Sequence, residues 1–483
     1  LKPDNIDTIV LLASIYNRQE KPTDSLDVLE DGIKKHPDSV SLRALKANLF
    51  ITQNQPEKAI ASLKEIIRLE PEKLNHRQSL AVLLVRLDKK PEARKILEQA
   101  VKDMPDNIDA KAALIDYLKN VESQEVAEKE LQKMIDAEPD SPRLKFTMAR
   151  LLETADKKDE AKAVYQKIIA KEETSPDALQ ARNRLALLLA REEKVDESLV
   201  QLGKVLEENP RDNDALILRA NISMSRNDPI NAIADYRSVL RDQPDSAKVL
   251  HLLARAQMAN KEYELAKQNY QRAIESDSTR KEPYVELAQL MLESKEYEMA
   301  IKLLEQSLRL DPAQLKALDV LTKLYIQTRQ WEEAANSARR LEVNFPDSAL
   351  GYYYSGLVQM SAKKFNYSEK SFKRALEISP TAVEPLNGLV RTYLYRKQPE
   401  RAIAWLERML EKNPKHVVAN NLLGEVLIQQ KESKKAREAF ERAIELKKDW
   451  WMPYRGVAAT WLMDKNENKA LETYQRALKH DPK

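Results

Sequence analysis

The sequence predicts an all-α fold, an α-solenoid of stacked helix-turn-helix units. Three observations predict it: proline recurs at a fixed period, glycine is nearly absent, and small residues recur in register between the prolines. Proline stands at 3, 37, 71, 105 and 139, each 34 residues after the last, then at 176, 210 and 244, at 312, 346, 380 and 414, and at 482. Ser278 and Lys448 hold the two skipped positions, and only the step of 37 from 139 to 176 departs from the period. A sustained repeat of this length marks supersecondary units that cannot bury their apolar faces alone and must stack. Gly accounts for 7 of 483 residues, which leaves little material for hairpins, bulges or phosphate-cradling loops. Ala, Leu, Glu, Lys, Gln and Arg, the residues that lose least on entering a helix, dominate instead. Length alone would suggest roughly three domains of about 150 residues each; the unbroken period argues for one continuous array.

Each period reads as helix A, a short turn, helix B, and a turn closed by proline. Counting the residue three after each closing proline as position 1, helix A carries a small residue at position 8: Ala13, Ala47, Ala81, Ala149 and Ala186, continuing to Gly356, Gly424 and Ala458. Helix B carries one at position 20, as in Ala59, Ala93, Ala127, Ala402 and Ala436. Small residues there let two antiparallel helices approach closely. One turn further along helix B, position 24 is large and apolar, as in Leu97, Tyr165, Tyr270, Phe372, Leu406 and Phe440, and fills the space beside them. Of the 22 prolines, 13 fall at period ends, and the other nine, among them Pro22, Pro56, Pro142, Pro283 and Pro399, fall at helix starts. Proline is tolerated there because the first-turn N–H has no intrahelical partner.

The pattern resembles the tetratricopeptide repeat, with its small residues at 8 and 20, aromatic or aliphatic residue at 24 and proline at 32. ERAIELKKD and YQRALKHDPK are similar to its helix B endings. The resemblance covers residues 6 to about 482, 14 units by the proline count. It implies a right-handed superhelix whose helices A line a concave groove and whose helices B form the outside. Residues 1–5 read as the tail of a preceding repeat and 6–178 as repeats 1–5, with a three-residue insertion near 171–176 in helix B of the fifth unit or the turn after it; 179–483 read as repeats 6–14. LKPDN at one end and DPK at the other read as cut repeat edges.

Composition narrows the functional class. With 80 basic against 77 acidic residues, the net charge of +3 lacks the footprint of a nucleic-acid binder. Runs such as ESKKAREAFERA alternate with acids and read as solvated helix faces. Cys is zero, which excludes disulfides and thiol chemistry. No apolar run approaches the ~18 residues of a membrane span. Of the five histidines, His36, His416 and His480 lie at repeat ends and His76 and His251 on helices A, with no His-x-x-x-His pair to hold a metal. Neither Gly-x-x-x-x-Gly-Lys nor Gly-x-Ser-x-Gly occurs. The chain is expected to be no enzyme and to need no cofactor or metal.

Positions 2, 5, 9 and 12 of helix A share one face, which in the resemblance is the groove face. There Tyr353, Asn387, Asn421 and Arg455 follow one another at position 5 of repeats 11–14, with Arg391 at position 9 and an apolar strip of Met360, Leu394 and Ile428 at position 12. Asn420, one position earlier, reads as a seam residue. Asn221, His251 and Arg255, with Met258, form a second patch in repeats 7 and 8. Carboxamides offer both donor and acceptor to a peptide backbone, and arginine suits a carboxylate. Tyr352, Tyr353 and Tyr354 are consecutive, so they cannot all face one side of a helix. The two-carboxylate clamp of chaperone-binding members needs Asn at position 6, which holds Gly388 and Leu422 here, so no chaperone-tail adaptor is expected.

These readings point to a non-catalytic scaffold that binds an extended or helical protein segment in the groove, with self-association left open. Long arrays of this kind occur in bacterial cell-envelope and polysaccharide-export assemblies, which favours envelope or periplasm over cytoplasm. Two alternatives stand. One is the repeat region of a larger enzyme such as a glycosyltransferase, whose asparagine ladder at position 6 is missing here. The other is a glycan-binding groove resting on Arg391, Arg455 and the tyrosines.

Overall fold

The computed structural model describes residues 5–480. Pro3, Pro482, the first four residues of LKPDN and the DPK ending lie outside the described residues. Among the described residues there are 28 α-helices and no strand. In chain order they are α1 (Ile6–Arg18), α2 (Pro22–Lys35), α3 (Val40–Thr52), α4 (Pro56–Leu69), α5 (Leu74–Arg86), α6 (Lys90–Asp103), α7 (Ile108–Tyr117), α8 (Gln124–Ala137), α9 (Pro142–Thr154), α10 (Lys158–Lys171), α11 (Pro176–Arg191), α12 (Val195–Glu208), α13 (Asn213–Ser225) and α14 (Pro229–Asp242). There follow α15 (Ala247–Ala259), α16 (Tyr263–Ser276), α17 (Glu282–Glu293), α18 (Tyr297–Leu310), α19 (Leu315–Gln327), α20 (Trp331–Asn344), α21 (Ala349–Ser361), α22 (Phe365–Ile378), α23 (Val383–Tyr395), α24 (Pro399–Lys412), α25 (Val417–Gln429), α26 (Ser433–Leu446), α27 (Trp451–Met463) and α28 (Glu467–His480). Odd numbers are helices A and even numbers helices B.

The turn from helix A to helix B is made by one left-handed residue in 13 units, from Glu20 and Asn54 to Lys431 and Lys465, and none of the 13 is glycine. That conformation closes the helix. In the second unit the Gln55 N–H donates to the Phe50 carbonyl at 2.8 Å and the Asn54 N–H to the Ile51 carbonyl at 3.1 Å, satisfying carbonyls the helix end leaves open. The fourth unit has no such residue: its helix A unwinds into a π-turn, Leu118–Glu122, before Ser123 caps α8.

The three extra residues lie in neither α10 nor its following turn. They lengthen α11 to 16 residues, against 13 in α9 and α13. Ser175 Oγ accepts from the Ala178 N–H at 3.2 Å and Pro176 occupies the first turn. Ser-Pro-Asp is a helix-start sequence, so Pro176 belongs with the helix-start prolines and not with those closing repeats.

Contacts divide the chain into two compact units, Leu1–Arg226 and Asn227–Lys483. The first contains α1–α13 and the second α14–α28. Within each, every helix packs on the next, and odd-numbered neighbours such as α1 and α3, α7 and α9, α21 and α23, or α25 and α27 also touch. No two even-numbered helices meet as closely, so within each unit the odd helices lie on the inner side.

The core follows the register of small and large residues. Ala13, Ala59, Ala186, Ala402 and Ala436 have no exposed surface. Three units place serine at position 20, and each hydroxyl donates across the hairpin to the carbonyl of position 8: Ser25 to Ala13 at 2.8 Å, Ser198 to Ala186 at 2.8 Å and Ser368 to Gly356 at 2.9 Å. Two units place Phe at position 24, and there the neighbours shrink to glycine. Phe372 is clamped between Gly356 and Gly388, and Phe440 between Gly424 and Gly456, so closely that a Cβ on any of the four would lie under 3.0 Å from the ring. The unit between them has Leu406 at position 24, and Val390 and Leu422 where the glycines would be. Side-chain volume is thus traded across three helices at native density.

Candidate functional site

In the second unit, Tyr353, Asn387, Asn421 and Arg455 do stand at one position of four successive inner helices, α21, α23, α25 and α27. Their surroundings differ. Tyr353 is half-buried, its ring 5.2 Å from that of Tyr354 and 6.2 Å from that of Phe372. Burial and the nearby Glu384 raise its pKa, while the positive charge of Arg391 opposes them. Asn387 is half-buried on α23. Asn421 is only 3% exposed, its Nδ2 donates to Glu425 Oε1 at 2.8 Å, and its Oδ1 is buried without a partner. Asn421, expected to face the groove, is therefore enclosed in the packing and turns no acceptor toward a ligand. Asn420 is structural: its Nδ2 donates to the carbonyls of Pro414 and His416, both at 3.2 Å, and its Oδ1 accepts from Arg442 Nε at 3.0 Å.

Arg391 is exposed and donates to Tyr395 Oη at 3.0 Å. Arg455 is exposed with its guanidinium 5.3 Å from the centre of the Trp451 ring. Met360, Leu394 and Ile428 are half-buried against the core of this unit. The three consecutive tyrosines diverge: Tyr352 lies under Arg374, 5.8 Å from its guanidinium, while Tyr354 is buried with its hydroxyl donating to Asp319. The glycine at position 6, Gly388, is explained by Phe372, whose ring fills the space a side chain would need.

The other expected patch divides between the units. Asn221 is exposed on α13, and His251 and Arg255 lie on α15. His251 is 7% exposed and its Nε2 sits 2.8 Å from Glu286 Oε2, where Tyr270 Oη also donates at 3.0 Å. Arg255 Nε is 3.8 Å from the same carboxylate. Burial pushes the Glu286 carboxyl up, but the His251 hydrogen bond and charge, then Tyr270 and Arg255, hold it below the usual range. His251 is therefore spent inside the protein, on an acid 35 residues away, and only Arg255 retains an exposed face.

The inner face of the first unit carries a concave site absent from the residues expected above. α7, α9 and α11 enclose a cavity of about 460 Å³, walled by Arg143, Phe146 and Arg150 of α9, Arg184 of α11 and Asp109 of α7. Tyr165 of α10 closes its floor and donates to Glu153 Oε1 at 2.6 Å. Burial, then that hydrogen bond and the Glu153 charge, push the Tyr165 hydroxyl well above its ordinary value against the opposing charges of Arg184 and Arg150. Phe146 packs beside Tyr165, the ring centres 6.0 Å apart and the planes tilted by 53°. The signal was present in the sequence, since Arg143, Arg150 and Arg184 occupy positions 2, 9 and 6 of adjacent units.

A larger cavity, about 620 Å³, lies on the other face of α21, between α20 and α22. Two of the four cations that line it, Lys373 and Arg374, are bonded to Glu369 at 2.9 Å and Glu377 at 2.8 Å. Among the described residues there is no group of three or more His, Asp or Glu able to hold a metal ion, and no helix is long and apolar enough to cross a membrane.

A tetratricopeptide repeat family model matches residues 50–115 and 396–457, and a second model of the same description matches 10–73 and 322–383. The model of suppressor of forked protein (Suf) matches residues 93–310. No curated protein matches the chain. Among solved structures it is similar to a tetratricopeptide repeat protein from Parabacteroides merdae, at 18% identity over 51% of this chain and 98% of that one, with a TM-score of 0.38. Pseudomonas aeruginosa pilF is similar at 21% identity over 44% of this chain and 96% of its own, TM-score 0.38. Yeast Tom70 is similar at 15% identity over 89% of this chain and 96% of its own, TM-score 0.36.

Proposed function

The chain is a tetratricopeptide repeat protein, and on that premise we propose that it is a non-catalytic scaffold that binds an extended or helical segment of a partner protein along its inner helices. The observation that carries this is the inner face itself. Odd-numbered helices lie side by side in each unit, and in the C-terminal unit they carry the exposed Arg391 and Arg455 beside the half-buried Tyr353 and Asn387. A peptide laid across these helices meets the two exposed cations beside the half-buried Asn387 amide and Tyr353 ring. Repeated geometry of this kind matches ligands that repeat too, a strand or a helix. The setting suggested by the resemblance of long arrays is a bacterial cell-envelope or polysaccharide-export assembly.

The test is selection from a displayed library of 12-residue peptides with the whole purified chain, followed by photo-crosslinking of the winners. Crosslinks on odd-numbered helices, and weaker retention by the triple variant Asn387→Ala, Arg391→Ala, Asn421→Ala at unchanged circular dichroism, support the reading. Crosslinks confined to even-numbered helices, or no retained peptide, reject it.

A further inference from the structure

We propose that the cavity on α7, α9 and α11 is a carboxylate-reading subsite for an acidic segment of the partner protein. Arg143, Arg150 and Arg184 would hold Asp or Glu side chains, and Phe146 would receive an apolar residue beside them. This rests on the groove-binding reading above and gives it a chemical class of partner.

Each of the three arginines is exposed at the cavity, and none of their guanidinium groups has a hydrogen-bond or ion-pair partner among the described residues. Their neighbours in the same unit are different. Lys111 is bonded to Glu138, Lys157 to Glu128 at 2.7 Å, Lys162 to Glu192 at 2.8 Å, and Arg94 to Glu98 at 2.7 Å. Those cations are paired, whereas Arg143, Arg150 and Arg184 meet at one cavity without a bonded carboxylate. Like charges gathered in a concavity focus a positive potential, and a guanidinium meets a carboxylate through two parallel hydrogen bonds. The half-buried Phe146 ring beside them adds an apolar contact that a free inorganic anion would not use.

Two acids select among anionic partners. Glu153, fixed by Tyr165, and Asp109 on the facing helix stand in the same wall. They repel a ligand of dense, unbroken negative charge such as a nucleic-acid backbone, and tolerate a peptide in which acidic and neutral residues alternate.

The experiment uses the whole chain and three fluorescein-labelled probes in anisotropy titrations. These are a 12-residue peptide of alternating Glu and Leu or Phe, the same peptide with Gln for Glu, and a 12-nucleotide single-stranded RNA. The expected result is that the Glu peptide binds at least tenfold more tightly than the Gln peptide, more weakly as salt rises, and ahead of the RNA. Arg150→Glu and the triple variant Arg143→Ala, Arg150→Ala, Arg184→Ala should each lose tenfold or more for the Glu peptide with unchanged circular dichroism. Arg→Lys at the three positions should recover only part of it. Equal binding of the Glu and Gln peptides, preference for RNA, or full binding by the triple variant would overturn the proposal. If peptides selected from the displayed library carry no acidic bias and depend on Asn387 and Arg391, the groove reading stands and this subsite falls; if no peptide is retained anywhere, the groove reading itself falls.

Discussion

Adding one methyl group at Gly388 should destabilise the protein, and removing the ring of Phe372 should reverse the sign of that effect. Glycine inside a helix ordinarily costs about 1 kcal/mol relative to alanine, so Gly388→Ala on an open helix would be a gain. Here the new Cβ would lie 2.5 Å from Phe372 Cε1 and 2.8 Å from Cε2, against an optimum of about 3.5–4.0 Å for carbon pairs. The ring cannot retreat, because on its other face a Cβ at Gly356 would stand only 2.5 Å from Cε1, and Phe372 has no exposed surface. Overpacking costs about 1–3 kcal/mol, and contacts as short as these belong at the upper end of that range, so after the propensity gain of about 1 kcal/mol is deducted the net loss is up to roughly 2 kcal/mol. Phe372→Leu alone leaves a cavity and should cost about 1–2 kcal/mol. In that background Gly388→Ala fills part of the space, as Leu422 does beside Leu406 in the next unit, and should stabilise by roughly 1 kcal/mol. The double-mutant cycle therefore carries a favourable coupling of about 2 kcal/mol. Repeat arrays need not unfold in one step, so urea titration by circular dichroism should be read together with amide exchange in α21 to α23. A Gly388→Ala variant more stable than the parent with Phe372 in place, or additivity in the cycle, would refute the packing argument.

Three further outcomes follow from other sites. Glu369, 9% exposed, accepts from Lys373 at 2.9 Å, Tyr393 at 3.0 Å, Arg396 at 3.0 Å and Arg401 at 2.7 Å; Glu369→Ala should cost about 2–3 kcal/mol, and a loss below 0.5 kcal/mol (about the size of an ordinary surface substitution) would show the network to be idle. Burial holds the pKa of His416 below 6.5, against an opposing backbone hydrogen bond, and its neutral Nδ1 accepts the Ala419 N–H at 3.1 Å. Because the folded value lies below the unfolded one, its contribution is complete above pH 6.5 and declines as pH falls from there through the folded value; melts at pH 7.5 and 5.5 should separate for the parent and much less for His416→Asn. Lys295 adopts a φ of 61°, a conformation that costs a non-glycine residue about 1–2 kcal/mol. After the larger unfolded-state entropy of glycine is deducted, Lys295→Gly should still gain about 0.5 kcal/mol, and a lower melting temperature would contradict this.

Short-range information determined the architecture. Period, proline placement and the alternation of small and large residues are properties of single hairpins and their immediate neighbours, and a stack of such hairpins has one way to bury its faces. Most helix starts, the burial of positions 8 and 20, and the divergence of Tyr352 from Tyr354 were legible there, but not the start of α11 or the π-turn that ends α7. The structure decided what depends on partners a repeat or more away. His251 looks free on its own helix, yet it is held by Glu286 from the next inner helix. Asn421 looks presented to the groove, yet its donor is taken by Glu425. The extra residues near Ser175 went into the start of α11, because a capping serine followed by proline extends a helix at little cost. Arg143, Arg150 and Arg184 became one site only when α9 and α11 were placed side by side. Composition says how many charges a chain carries, but which of them stay unpaired is settled by distances that only the packed helices define.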